Sequence, residues 1–204
     1  MTNITYKNTK EISKLLPEII DLVYERLAKD SNITSLFLLI LGILNRTHEL
    51  TESAIWSIDN SRPITAITTL RSLHETLGYI FYQREQIQKI KDTKKISEFI
   101  TNSLLGSRKK NDPYQQINIL TCIDCATKRF PKLRKIYNDS SEAVHPNSAS
   151  HFYVGKADKK NFGIAQVQLP FYDFKNNDKL AITNQVGECV SHIISISREL
   201  IQIA

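Results

Sequence analysis

The sequence predicts an all-α fold, a bundle of five or six helices with a small β-hairpin insertion near 150–173. Three observations carry that expectation. Gly and Pro are scarce, six of each in 204 residues. Apolar residues recur every three or four positions over long stretches. Prolines, cap residues and a glycine fall between those stretches, where helices start and stop.

The elements follow in order. Ile12, Leu15, Leu16, Ile19, Val23 and Leu27 form a helical stripe that predicts a first helix over Glu11 to Lys29, with Pro17 splitting off or kinking its first turn. A second helix runs from about Thr34 to Ile58. Its first half is apolar nearly all round, as a central helix requires, and its second half turns polar at Arg46, His48, Glu49 and Glu52. Asn60-Ser61-Arg62-Pro63 reads as a turn and cap with Pro near the first helical position. The third helix carries Ile67, Leu70, His74, Leu77 and Phe81 on one stripe. It continues, or breaks and resumes, from Ile90 to Leu105, with Gly106 as a stop.

Asp112-Pro113 predicts another helix, to about Lys128. Pro131 opens a short one, Lys132 to about Val144, and Pro146 ends it by pushing the preceding residue out of helical geometry. Ser150 to Asp173 changes character and reads as a hairpin. The last helix, Asp178 to Ile203, carries Ile182, Val186, Cys189, Ile193, Ile196, Leu200 and Ile203 on one unbroken stripe. That stripe must pack on other helices or on a second copy, which predicts a homo-oligomer.

Composition sets the class. Apolar residues make up 41% and charged residues 24%, enough to bury a core without disulfides or metals. Residues 1–204 read as one helical-bundle domain. The polar stretch Met1 to Lys10 lacks the apolar run of a signal peptide. The most apolar run, Leu36 to Leu44, is about half the roughly 20 residues a bilayer span needs. Three cysteines, Cys122, Cys125 and Cys189, leave an odd count, so reduced thiols in the cytoplasm and no membrane association are expected. The formal charge is +6. Residues 1–102 hold 13 Lys/Arg against 12 Asp/Glu, whereas Arg108 to Lys135 alone holds eight basic residues against two acidic. That local excess, interleaved with Tyr114 and Phe130, could meet phosphates, although a charge run is usually a solvated face.

The common nucleotide and hydrolase loops are missing, with no Walker A, GxGxxG or GxSxG. Cys122-Ile-Asp-Cys125 is a lone CxxC without the second pair of a zinc site. His48-Glu49 and His74-Glu75 are adjacent pairs, and adjacent helical residues point about 100° apart, so no metal and no cofactor is expected.

Three constellations remain. Arg71 and Glu75 are i and i+4 on one helix face, with His74 one step round within the apolar stripe. That cluster reads first as a buried Arg–Glu pair with a satisfied core histidine. Tyr137, Ser141 and His145 are spaced by four, with His145 fixed at a helix end by Pro146 and followed by Asn147. A cation is favoured there, so His145 is either a C-terminal cap or a proton-binding group. The third, Arg46, His48, Glu49 and Glu52, reads as a solvated helix end.

Two of these segments also carry a resemblance. Leu70-Arg71-Ser-Leu-His74-Glu75 resembles the Leu-Arg-Ser-x-x-Glu helix of a large bacterial family of unknown function. Tyr137-x-x-x-Ser141-x-x-x-His145-Pro146-Asn147 resembles its second mark. That family is similar in helical architecture to the HEPN superfamily of nucleotide-binding and RNase-type bundles of toxins and antiviral systems. The resemblance implies an all-α bundle, often a dimer, with a polar cleft. It implies an RNA-cleaving role too, but the HEPN mark separates Arg from His by four to six residues. Here two residues separate Arg71 from His74, and ten separate Arg134 from His145.

Two functions are therefore expected. The first is a binding or regulatory module of a bacterial defence or stress system, with an interior site that is structural or takes a small anionic ligand. The second is a metal-independent ribonuclease, with Arg71 as phosphate clamp, His145 as acid/base and Glu75 orienting Arg71. Tyr137, Ser141, His74, Asn147 and Glu49 complete the candidate binding residues, and RNA is the alternative partner.

Overall fold

A computed structural model describes residues 5–29, 34–107, 113–145, 155–158, 163–167 and 176–203. The described chain is mostly helical: α1 (Thr9–Ser13), α2 (Leu15–Lys29), α3 (Ser35–Asp59), α4 (Pro63–Lys89), α5 (Thr93–Leu105), α6 (Ile119–Ala126), α7 (Leu133–Val144) and α8 (Asn176–Ile201). The all-α fold class expected from the periodicity is thus observed. No described helix is long and apolar enough to cross a membrane.

Local chemistry sets most boundaries. Pro17 has no N–H to give the carbonyl of Ser13, and α1 ends at that residue. In α2 the same proline sits in the first turn, where its missing donor costs nothing. Thr34 caps α3 by accepting the Phe37 N–H at 3.1 Å. Pro63 opens α4, which continues to Lys89; the chain then breaks at Ile90, and Asp92 caps α5.

The helix expected from Asp112 is shorter than its sequence pattern. Asp112 lies outside the described residues, and α6 begins only at Ile119, capped by Asn118. The preceding residues bridge to Ser107 instead: its N–H donates to Tyr114 O at 2.8 Å and its carbonyl accepts from Gln116 N–H at 3.0 Å.

The core is built on α3, α4 and α8. Phe37, Ile40, Leu44 and Ile58 of α3, Leu73 and Ile80 of α4, and Ile193, Ile194 and Ile196 of α8 are all under 2% exposed. Each such side chain contributes about 1.5–3 kcal/mol of transfer free energy. Thr47, Thr51 and Ser57 sit among them, and each donates its hydroxyl to the carbonyl four residues back, at 2.7, 2.6 and 2.6 Å.

The α8 stripe is consumed inside the chain, so it supplies no face for a second copy. Its last member departs from expectation: Ile203 lies beyond the helix end and is 53% exposed, because α8 stops at Ile201. Two close approaches hold the periphery. Gly78 lets α6 reach α4, since a Cβ there would lie 2.9 Å from Ile123 Cδ1. Gly187 receives the ring of Tyr6; the Tyr6 backbone N–H donates to Asn184 Oδ1 at 2.8 Å, and its hydroxyl bonds Ser191 Oγ.

Of the segment expected as a hairpin, the described residues are Gly155–Asp158 (β1) and Gly163–Val167 (β2). They pair antiparallel, Gly155 opposite Val167, with a register shift between Lys156 and Ala157.

Candidate functional site

Helices α4 and α7 bring together three of the side chains singled out above. Arg71 and Glu75 lie one turn apart on α4, with Arg71 Nε 3.5 Å from Glu75 Oε1. Tyr137 reaches across from α7: Arg71 Nη2 donates to its hydroxyl at 3.3 Å, and that hydroxyl donates to Glu75 Oε1 at 3.2 Å. The guanidinium carbon stands 5.4 Å from the Tyr137 ring centroid. Tyr137 is 5% exposed, while the Arg71 and Glu75 side chains keep about a quarter of their surface. Arg71 Nε is sealed from water, and its one close partner is the 3.5 Å contact to Glu75.

The other predicted residues go elsewhere. Ser141 is half-buried and returns its hydroxyl to Tyr137 O at 2.8 Å. His145 is exposed at the C-cap of α7, with its backbone extended at φ −76°, ψ 145°, as the following proline demands. Its N–H donates to Ser141 O at 3.3 Å. It lies eight residues past Tyr137, about 12 Å along the axis. Asn147 lies outside the described residues. Glu49 is exposed on α3 and accepts from Asn45 Nδ2 at 3.3 Å, and His48 Nδ1 stands 3.5 Å from Glu52.

His74 corrects an expectation. It is buried, 3% exposed, but it is not a satisfied core histidine: Nδ1 is sealed and has no hydrogen-bond partner. Burial without a compensating charge lowers its pKa from the ordinary 6.5 to about 4, so the ring is neutral near pH 7.

The turn of α4 that carries Glu75 also borders a cavity of about 330 Å³ between α3, α4 and α5. Arg46 lines it and is anchored through Nε to Thr76 Oγ1 at 3.1 Å. Tyr79 lines it too and donates its hydroxyl to Ser103 O at 3.0 Å; burial raises its pKa above the ordinary phenol value. Arg46 was legible in the sequence only as part of a solvated helix end. Its distance from Glu75 along the chain hid the shared cavity.

Part of the basic stretch is paired with carboxylates. Among its described members, Arg134 pairs with Asp124 at 2.7 Å, Lys135 with Asp139 at 3.4 Å, and Arg129 approaches Glu199 at 4.0 Å. Of the thiols, burial pushes Cys122 up to about 12 and Cys189 higher still, so both stay protonated. Among the described residues, no group of three His, Cys, Asp or Glu side chains could hold a metal ion.

Compared with protein-family models, curated proteins and solved structures, the chain matches none.

Proposed function

We propose that this chain is a helical binding module whose α3–α4 cavity takes a small anionic ligand, with Arg71, Tyr137 and Glu75 bracing the wall. One observation carries the proposal: Arg46 and Glu75 line the same cavity of about 330 Å³, and Glu75 is already met by Arg71 at 3.5 Å. Glu75 is thus engaged by Arg71, and Arg46 has no carboxylate partner among the described residues, so its positive charge is left for a ligand. Arginine's planar donor fork suits an oxyanion. The Thr76 hydroxyl holds Arg46 at the wall, so part of the ordering cost of binding is met before the ligand arrives.

The test is phosphate or pyrophosphate added to the full chain and to Arg46→Gln. Arg46 is exposed, so the substitution leaves the core intact. The native chain is expected to gain thermal stability with ligand while the variant gains none. An equal gain in both ends the proposal.

The second reading is the metal-independent ribonuclease. It is favoured by Tyr137 meeting Arg71 on the same helix that ends in His145. Against it stand the roughly 12 Å from Tyr137 to His145 along the axis and the carboxylate already on Arg71. On this reading purified protein cleaves RNA without metal, and His145→Ala loses that activity with its helical CD signal intact. Equal cleavage by both proteins would mark a contaminant.

The finer assignments belong with these proposals. The β1–β2 hairpin is read as an excursion from a five- or six-helix bundle, and the role in bacterial defence or stress rests on the family resemblance alone. A homo-oligomer, with the α8 stripe already buried, would draw on Ile20, Tyr24 and Leu27 of α2, which are 42%, 67% and 38% exposed. A monomer by light scattering at high concentration ends that assignment.

A further inference from the structure

The other side of α4 carries a second cavity. At about 100° per residue, His74 and Leu77 point away from Glu75, Thr76 and Tyr79. They line a space of about 310 Å³ closed by α7, α8 and the turn between α6 and α7. We infer that this cavity is a binding site for a small planar aromatic carboxylate, with its ring packed against His74, Phe130 and His192 and its acid group at Lys132.

The walls select the ring. The His192 and Phe130 centroids are 4.7 Å apart at 48°, and Phe130 meets Phe81 edge-on at 5.8 Å. Such tilted and edge-to-face sets accept a further aromatic ring in preference to an aliphatic one of equal size. Leu77 and Ile136 complete an apolar lining. His74 is the observation that points to an occupant. It is 3% exposed and lines the cavity, and its sealed Nδ1 has no hydrogen-bond partner. A buried polar group without a partner costs stability, and no contact among the described residues recovers that cost.

The rim selects the charge. Arg129 and Lys132 stand there against Glu188. Arg129 is drawn toward Glu199 at 4.0 Å and lies over the Phe130 ring, and Glu188 accepts from Asn184 Nδ2 at 2.9 Å. Lys132 is exposed and has no carboxylate partner among the described residues. It is the cation left to meet an acid group on a ring seated below it.

The test is a titration of the full chain with 2-naphthoate, following the ring protons of His74 and His192 by NMR. Cyclohexanecarboxylate and inorganic phosphate are run alongside. The expected result is saturable shifts of both histidines with 2-naphthoate, weaker binding of the aliphatic acid, and none with phosphate. Lys132→Gln, on an exposed side chain, is expected to weaken 2-naphthoate binding about tenfold, as loss of one charge-assisted contact does. Arg46→Gln is expected to leave it unchanged, which separates this site from the α3–α4 cavity. Histidine signals unmoved at millimolar 2-naphthoate overturn the inference. Equal binding of the cyclohexane acid overturns it too, and so does equal affinity in Lys132→Gln.

Discussion

Acid should unfold this protein earlier than its carboxylates alone would, and His74 is the reason. The ring is neutral and buried, with its pKa lowered to about 4 against an ordinary 6.5. Below pH 6.5 the unfolded chain takes up a proton at this position that the folded chain refuses until about pH 4. Protonation therefore favours unfolding throughout that window. Above it both states are neutral, and His74 adds no pH dependence. At about 1.4 kcal/mol per pH unit between the two values, the loss reaches about 3 kcal/mol, most of it by pH 4.5. That is a large share of the 5–15 kcal/mol typical of a domain. The assay is denaturant unfolding of the native chain and His74→Leu from pH 7.5 to 4.5. Leu fills about the same volume and carries no partnerless nitrogen, so on acidification the variant should gain about 2–3 kcal/mol on the native chain, whatever the difference at neutral pH. A gap that does not change with pH refutes the reasoning. So does an NMR titration of the His74 ring with its midpoint near 6.5, which would mean that water or a partner reaches it.

Three further outcomes are expected. Tyr137→Phe removes the hydroxyl that joins Arg71 to Glu75 but keeps the buried ring, so stability should fall by about 1 kcal/mol, or roughly 2–4 °C in Tm. A double-mutant cycle with Glu75→Gln should return a coupling of at least about 0.5 kcal/mol, and additivity would show that the bridge carries no energy. Gly187→Ala places a Cβ 2.3 Å from Tyr6 ring carbons; displacing that ring costs about 2–3 kcal/mol, offset by about 1 from helix propensity, so denaturant unfolding should show a net loss, and a gain would refute the close approach. Ellman's reagent should titrate one thiol of the native chain, the half-buried Cys125, and all three after guanidinium; fast reaction of Cys122 or Cys189 would contradict their burial.

The helices were legible because their signals are local. A helix start such as Thr34, a breaker such as Pro17 and a stripe such as Ile182 to Leu200 act through neighbours three or four residues away, and each appears where its pattern predicts. Arg71 with Glu75 was legible for the same reason. The departures arise where distant chain intervenes. Ser107 holds 114–116 out of the helix that Asp112-Pro113 predicts, and α3 and α4 bury the α8 stripe that could equally have met a second copy.

The sequence by itself therefore determined the all-α class, most helix ends and the faces that had to be buried, because propensity and periodicity are properties of a few adjacent residues. Tertiary structure alone decided that Tyr137 bridges Arg71 and Glu75, that His74 lies buried without a partner, and that Arg46 and Lys132 each stand beside a cavity. Those outcomes depend on how helices far apart in the chain approach and rotate against one another. Packing sets that arrangement, and no local pattern encodes it.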